Sequence, residues 1–332
     1  MIKRTGFLVF CFYLFFTLNG CKQKPSEAVP LHRLEKVLFD TPQDQLQSKL
    51  LDRREEFRTD LLTLRPDDGE FMQQLYGFVD DPVVRQIYQL VDSVFGDMKE
   101  ESVAIGTALM RARELYPVLR YDKVYTYIST TFDYDRRVGC NSHELIISID
   151  QYVLPYTQRF NYFGTPLYLV RQSQRKYIPV DCMTAIAREK IALPDETPSL
   201  LDYMVAEGKA LWFAKQTLDN PHDSLLLRYS DEQYGWMTEN EENVWSYLLQ
   251  NKLLFETDYM RFHNLIDEAP KTNAFGSGTG SAFTSSAPRT TNYLGLAIVS
   301  RYMKNSGSSV EQLFKETNAQ KILNESNYRP GR

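Results

Sequence analysis

His143-Glu144 opens like the signature of a zinc peptidase, where two histidines four apart on a helix face one metal and a glutamate activates water. Here Ile147 stands where the second histidine is needed, and Leu145 to Ile149 is β-branched in the manner of a strand. A histidine at a strand edge has no second ligand one helical turn away, so His143 reads as a surface residue. His32, His222 and His263 are scattered along the chain and form no ligand pattern. More conspicuous are Glu207 and Lys209. They interrupt a stretch from Leu200 to Phe213 that is apolar on nearly every side and therefore belongs in a core. A carboxylate there needs a partner. It is either one half of a structural ion pair, the commoner arrangement, or a group held for acid–base chemistry.

Cys21 carries a different chemistry. Lys3 and Arg4 precede an apolar run, Phe7 to Phe16, that is too short to span a bilayer as a helix. The run leads to Leu18-Asn19-Gly20-Cys21, the order of a bacterial lipobox: a branched aliphatic residue, a spacer, a small residue, then cysteine. Residues 1–20 are thus expected to be a lipoprotein signal peptide, removed before Cys21, whose acylated thiol holds the chain to membrane lipid. Residues 21–35 follow as a polar tether, and 36–332 as a single globular domain. The address is a membrane surface of the cell envelope outside the cytoplasm, with the choice of membrane left open. Cys11 leaves with the leader. In an oxidising envelope Cys140 and Cys182 either form a disulfide or remain two free thiols, and their spacing along the chain does not decide between these.

The elements that must position these groups are mostly helical. Thr41-Pro42, Asp81-Pro82 and Thr197-Pro198 each look like an N-cap with proline at the first helical position. Val84, Ile87, Tyr88 and Val91 share one side of the second of these helices. A further helix is expected from Glu100 to Tyr116, and another around Asp181. Ser230 with Gln233, and Ser308 with Glu311, have capping-box spacing. In the middle, Val124 to Thr130 and Leu145 to Ile149 predict a small sheet, extended by Leu167 to Val170. The class is α+β, predominantly α-helical. A formal charge of −5 with no basic block leaves little to attract a nucleic acid. The glycine-rich segment between Lys271 and Ser286 lacks the Gly-Lys-Ser/Thr of a phosphate-binding loop and reads as a flexible loop.

Several stretches carry a family likeness. Ala206-Glu207-Gly208-Lys209-Ala210, then Tyr229 to Met237, Asn240 to Trp245, Ala287 to Met303 and the closing Asn327-Tyr328-Arg329-Pro330 resemble, in order and spacing, the GldB lipoproteins of gliding Bacteroidota. That family is in turn distantly similar to gluzincin peptidases, in which a His-Glu-x-x-His helix and a Glu-Gly-x-Ala helix meet around zinc. The resemblance implies a gluzincin-like helical domain with Glu207 at the glutamate-ligand position. Asp181, Cys182 and Ala185 then stand where histidine, glutamate and histidine belong. Two imidazoles and the general base are missing, so neither metal nor cofactor is expected and the scaffold is expected to be non-catalytic. Asp181, Glu207, Arg289 and Tyr293 are the expected cleft residues, with Arg289 as neighbour or counter-ion to Glu207. The implied partners are membrane lipid, through Cys21, and envelope proteins of the gliding machinery or a related process. The rival expectation is an atypical hydrolase working through Glu207 and Asp181.

Overall fold

Val124-Tyr125-Thr126 and Leu145-Ile146-Ile147, the two β-branched runs, are strands in the computed structural model, which describes residues 26–131, 137–156, 165–194, 196–269 and 286–331. The leader, Cys21 and residues 271–285 of the glycine-rich segment lie outside the described residues. The fold begins earlier than the composition suggests. Val29 is already buried, and β1 (Leu31–Arg33) runs straight into α1 (Leu34–Asp40), so the tether ends before residue 31. A three-residue strand is too short to show a period, which is why it passes for linker. Then come α2 (Gln43–Asp52), α3 (Gly69–Asp80), α4 (Pro82–Phe95), α5 (Lys99–Leu115), β2 (Lys123–Tyr127), β3 (Val138–Cys140) and β4 (Glu144–Ser148). The rest is helical: α6 (Leu167–Arg171), α7 (Ile178–Lys190), α8 (Leu200–Thr217), α9 (Asp223–Leu227), α10 (Asp231–Gln250), α11 (Tyr259–Ile266), α12 (Thr290–Ser306), α13 (Val310–Lys315) and α14 (Ala319–Ser326).

The sheet has the order β1-β2-β4-β3. The first three strands are parallel, and β3 returns antiparallel along β4 with Cys140 opposite Leu145. Every residue of β4 is buried, as parallel strands covered on both faces require. The expected fourth strand at Leu167–Val170 is the helix α6, entered after Pro166. A short apolar run does not by itself distinguish strand from helix, and the structure resolves it the other way. The caps are shifted slightly from their expected places. Ser230 and Gln233 form a full capping box, but the third box uses Ser309 with Gln312, and α8 is capped by Ser199 with Asp202. Pro42 occupies the N-cap of α2, one position before the expected one.

The centre of the helical half is the crossing of α8 and α12, with α7 packed on the other side of α8 and joining it to β3 and α5. Gly208 and Gly295 meet at that crossing. A Cβ on either would overlap backbone of the other helix, at the Gly295 carbonyl in one case and the Met204 carbonyl in the other. The helices therefore touch main chain to main chain. Lys209, the next residue, is only 2 % exposed. Its Nζ donates to the carbonyl oxygen of Glu316 at 2.5 Å, just beyond the end of α13. Burial pushes the Lys209 amine down to about 8, against the opposing pull of Glu316 and Asp202.

Two outcomes follow. Gly295→Ala should lower unfolding free energy in denaturant melts by about 3 kcal/mol, because the crossing has no room for a methyl group. Gly235→Ala on α10, where nothing lies within 4 Å, is the matched control and should be neutral or stabilising by up to about 1 kcal/mol. For Lys209, the unfolded chain binds the proton more tightly than the fold does, so stability rises as the pH climbs from about 8 towards 10.5. Relative to Lys209→Met, the wild type should gain about 3 kcal/mol between neutral pH and the upper end of that range.

Candidate functional site

Asp181, Ala185 and Arg188 recur at helical spacing along α7, and that face lines a polar pocket of about 110 Å³. Asp181 lies in the first turn, favourably placed at the positive helix end. It accepts a hydrogen bond from Arg228 Nη2 and a second, at 2.5 Å, from the Tyr152 hydroxyl. Arg228 also donates to the Gln172 carbonyl at 2.7 Å, and Arg137, just before β3, donates to the same oxygen at 3.0 Å. Burial pushes the Asp181 carboxyl up, but the charges of Arg228 and Arg137 and the two hydrogen bonds outweigh it, so it stays below the usual carboxylate range. Burial, and then the nearness of Arg228, push Arg137 down. Positive charge is crowded here.

Glu207 projects from α8 into a larger cleft of about 780 Å³. Arg188 clamps it with two parallel bonds, Nε at 3.1 Å and Nη2 at 2.6 Å. The Glu207 side chain is 21 % exposed, so this residue of an otherwise apolar helix opens onto the cleft instead of lying in the core. Burial raises its pKa, and Arg188 first, then Arg289 and Arg228, bring it below the ordinary value. Arg289 gives Nη1 to Glu268 at 3.0 Å and Nη2 to the Leu227 carbonyl at 3.1 Å. Among the described residues its buried Nε has no hydrogen-bond partner. Arg188, Glu268 and Arg289 line both the small pocket and the larger cleft and form the boundary between them. Leu193, Tyr203 and Tyr259 supply an exposed, largely aromatic lip.

The structure thus brings together Asp181, Glu207 and Arg289, with corrections. Arg188 is the direct counter-ion of Glu207, while Arg289 serves Glu268 and acts on Glu207 only through its field. Asp181 and Glu207 are not a carboxylate pair; each is held by its own guanidinium. Tyr293 is absent from the cleft lining and packs its ring against Tyr234 of α10 at 6.3 Å. Of the three positions matched to the peptidase helix, 181 and 185 face the pocket, but Cys182 is fully buried. Cys140 and Cys182 are unbonded in this structure, Cys140 half-buried and Cys182 buried. His143 is exposed beside Ser142, as read from sequence. Among the described residues no group of three or more histidines, cysteines or carboxylates is arranged to hold a metal ion.

Arg137, Arg188, Arg228 and Glu268 escape sequence reasoning. Arg188 had a signal, seven residues beyond Asp181 on the same helical face. Arg228 and Arg289 lie at helix ends with left-handed backbone, φ 58° and 45°, a strain of about 1 kcal/mol each that neighbouring contacts must hold.

The family model described as gliding motility protein GldB matches residues 21–330, a span that begins at Cys21. The chain belongs to the GldB family. No curated protein and no solved structure matches it. No helix among the described residues of this GldB family member is long and apolar enough to cross a membrane.

Asp181→Asn should destabilise the fold by about 3 kcal/mol at neutral pH, since it strips two buried guanidiniums of their shared anion. Because the folded carboxyl titrates below its unfolded value of about 3.9, that contribution is present above the unfolded pKa and fades as pH falls through the folded one. Melts of the two proteins should therefore converge in acid and separate above about pH 4.

Proposed function

We propose that this GldB family member is a lipid-anchored protein of the cell envelope that works by binding, with the arginine-rich small pocket and the cleft beside it receiving an acidic, partly apolar segment of a partner protein. The lipobox at Cys21 and the family's link to gliding motility support the anchor and the setting. The observation that carries the binding reading is Arg289, which with Arg188 lines both the small pocket and the aromatic-lipped cleft. An incoming carboxylate in the small pocket, which Arg137, Arg188, Arg228 and Arg289 line, would offset the crowding between Arg137 and Arg228. Tyr203, Tyr259 and Leu193 give apolar side chains of the same segment a surface to pack on. Asp181 and Glu207 have a positioning role in this reading. Each is engaged by an arginine and held in its charged form, which suits an anchor for guanidiniums better than a proton shuttle.

Fluorescence anisotropy with peptides of one apolar sequence, carrying either Asp/Glu or Asn/Gln, tests this on the full chain. The acidic peptide should bind more tightly, and Arg289→Ala should weaken it about tenfold, or ~1.4 kcal/mol. Equal binding of both peptides would remove the anionic-partner reading. Peptide cleavage abolished by Glu207→Gln, or stoichiometric zinc in the purified protein, would replace it with the hydrolase.

A further inference from the structure

A second concavity lies away from the arginines. Val103, Ala104, Thr107 and Ala108, one stripe of α5, face Pro179 and Leu218 across a groove of about 680 Å³. Val103 is 42 % exposed in it, and the exposed side chains of Lys99 and Lys176 stand on its rim. Glu100, the acid on that rim, is held by Arg175 at 3.1 Å.

The N-terminal segment runs along the same helix. Val29 N–H donates to the Ser102 carbonyl at 3.1 Å, and the Ser102 hydroxyl donates back to the Val29 carbonyl at 2.6 Å. Two residues earlier, Glu27 N–H donates to the Thr107 hydroxyl at 3.3 Å. Gly106 permits this approach, since a Cβ there would lie 2.6 Å from Val29 N. Followed towards its start, the chain passes from Ser102 to Thr107, which is itself a groove residue. From Glu27 to Cys21 is six residues, a reach of at most about 20 Å. The part of α5 that lines the groove, Lys99 to Arg111, is about 18 Å long. An acyl chain on Cys21 must therefore enter the bilayer within about one groove length of Thr107.

We infer that the α5 groove is the membrane-seating face: the acylated protein rests on the bilayer with Val103 and Ala104 at the headgroup–acyl boundary and Lys99 and Lys176 at the lipid phosphates. The inference rests on acylation of Cys21 and is independent of partner binding at the cleft. Pro179 and Val180 lie on a different face of α7 from Asp181, Ala185 and Arg188, so the seated protein keeps its arginine pocket clear of lipid.

The test uses the full acylated chain in vesicles of phosphatidylethanolamine and phosphatidylglycerol with brominated acyl chains. A Cys140→Ser background carries an environment-sensitive fluorophore at Val103→Cys, Lys99→Cys or, as the distant site, Leu193→Cys. Flotation with the vesicles reads the anchor, and bromine quenching reads the seating. Emission should be lost at 103, reduced at 99 and retained at 193. Flotation with emission retained at both 103 and 99, or lost equally at 103 and 193, would overturn the seating while leaving the anchor intact. Failure to float, with Cys21 unmodified by mass spectrometry, would overturn anchor and seating together, and peptide binding measured by anisotropy would stand or fall separately.

Discussion

The contact between Gly208 and Gly295 sets the geometry of everything around the cleft. With no side chain between them, α8 and α12 cross at backbone distance, and neither can slide or rotate without collision. Glu207 precedes one of these glycines, and Arg289 stands at the start of the helix that bears the other. The crossing therefore fixes how far the carboxylate on α8 lies from the guanidinium at the head of α12. It also explains why a helix that is apolar on nearly every side can carry a cleft residue. The close approach consumes one face, and Glu207 emerges at its edge beside Arg188.

Around that fixed point the charged groups form a graded network. At the buried end, Asp181 offsets Arg228 and Arg137, and Tyr152 completes its shell. At the open end, Glu207 and Arg188 form a bidentate pair in partial contact with solvent. Glu268 and Arg289 stand between. Interactions of the first kind are stronger because water screens them less, while the second kind, with its half-exposed arginine, exchanges more readily with an incoming anion. Two of the arginines hold left-handed backbone, a strain the network sustains in return for placing their guanidiniums.

Much of the frame was legible from residue types, and the reasons are local. Ser230 with Gln233 announces a helix start because both groups of the capping box lie within one turn. The β-branched runs around Val124 and Ile146 announce strands for the same local reason. Leu167–Val170 misleads because four apolar residues fit either geometry, and β1 is missed because three residues carry no pattern. The site was half legible. Glu207 stands out against an apolar background, and Asp181 emerges through the family likeness. Arg137, Arg228 and Glu268 are ordinary surface-type residues in the sequence, and only the tertiary fold brings them together from the residue before β3, the end of α9 and the segment after α11.

The entry of the chain into the fold has a mechanical consequence. Tension arriving through the N-terminal segment meets the clasp on α5 at Thr107 and Ser102, and then β1, hydrogen-bonded in parallel to β2. A load directed along β1 shears that ladder, so its bonds resist together instead of opening one after another. The strand that looks like linker is thus the point where a pull on the N-terminal segment would pass into the body of the protein.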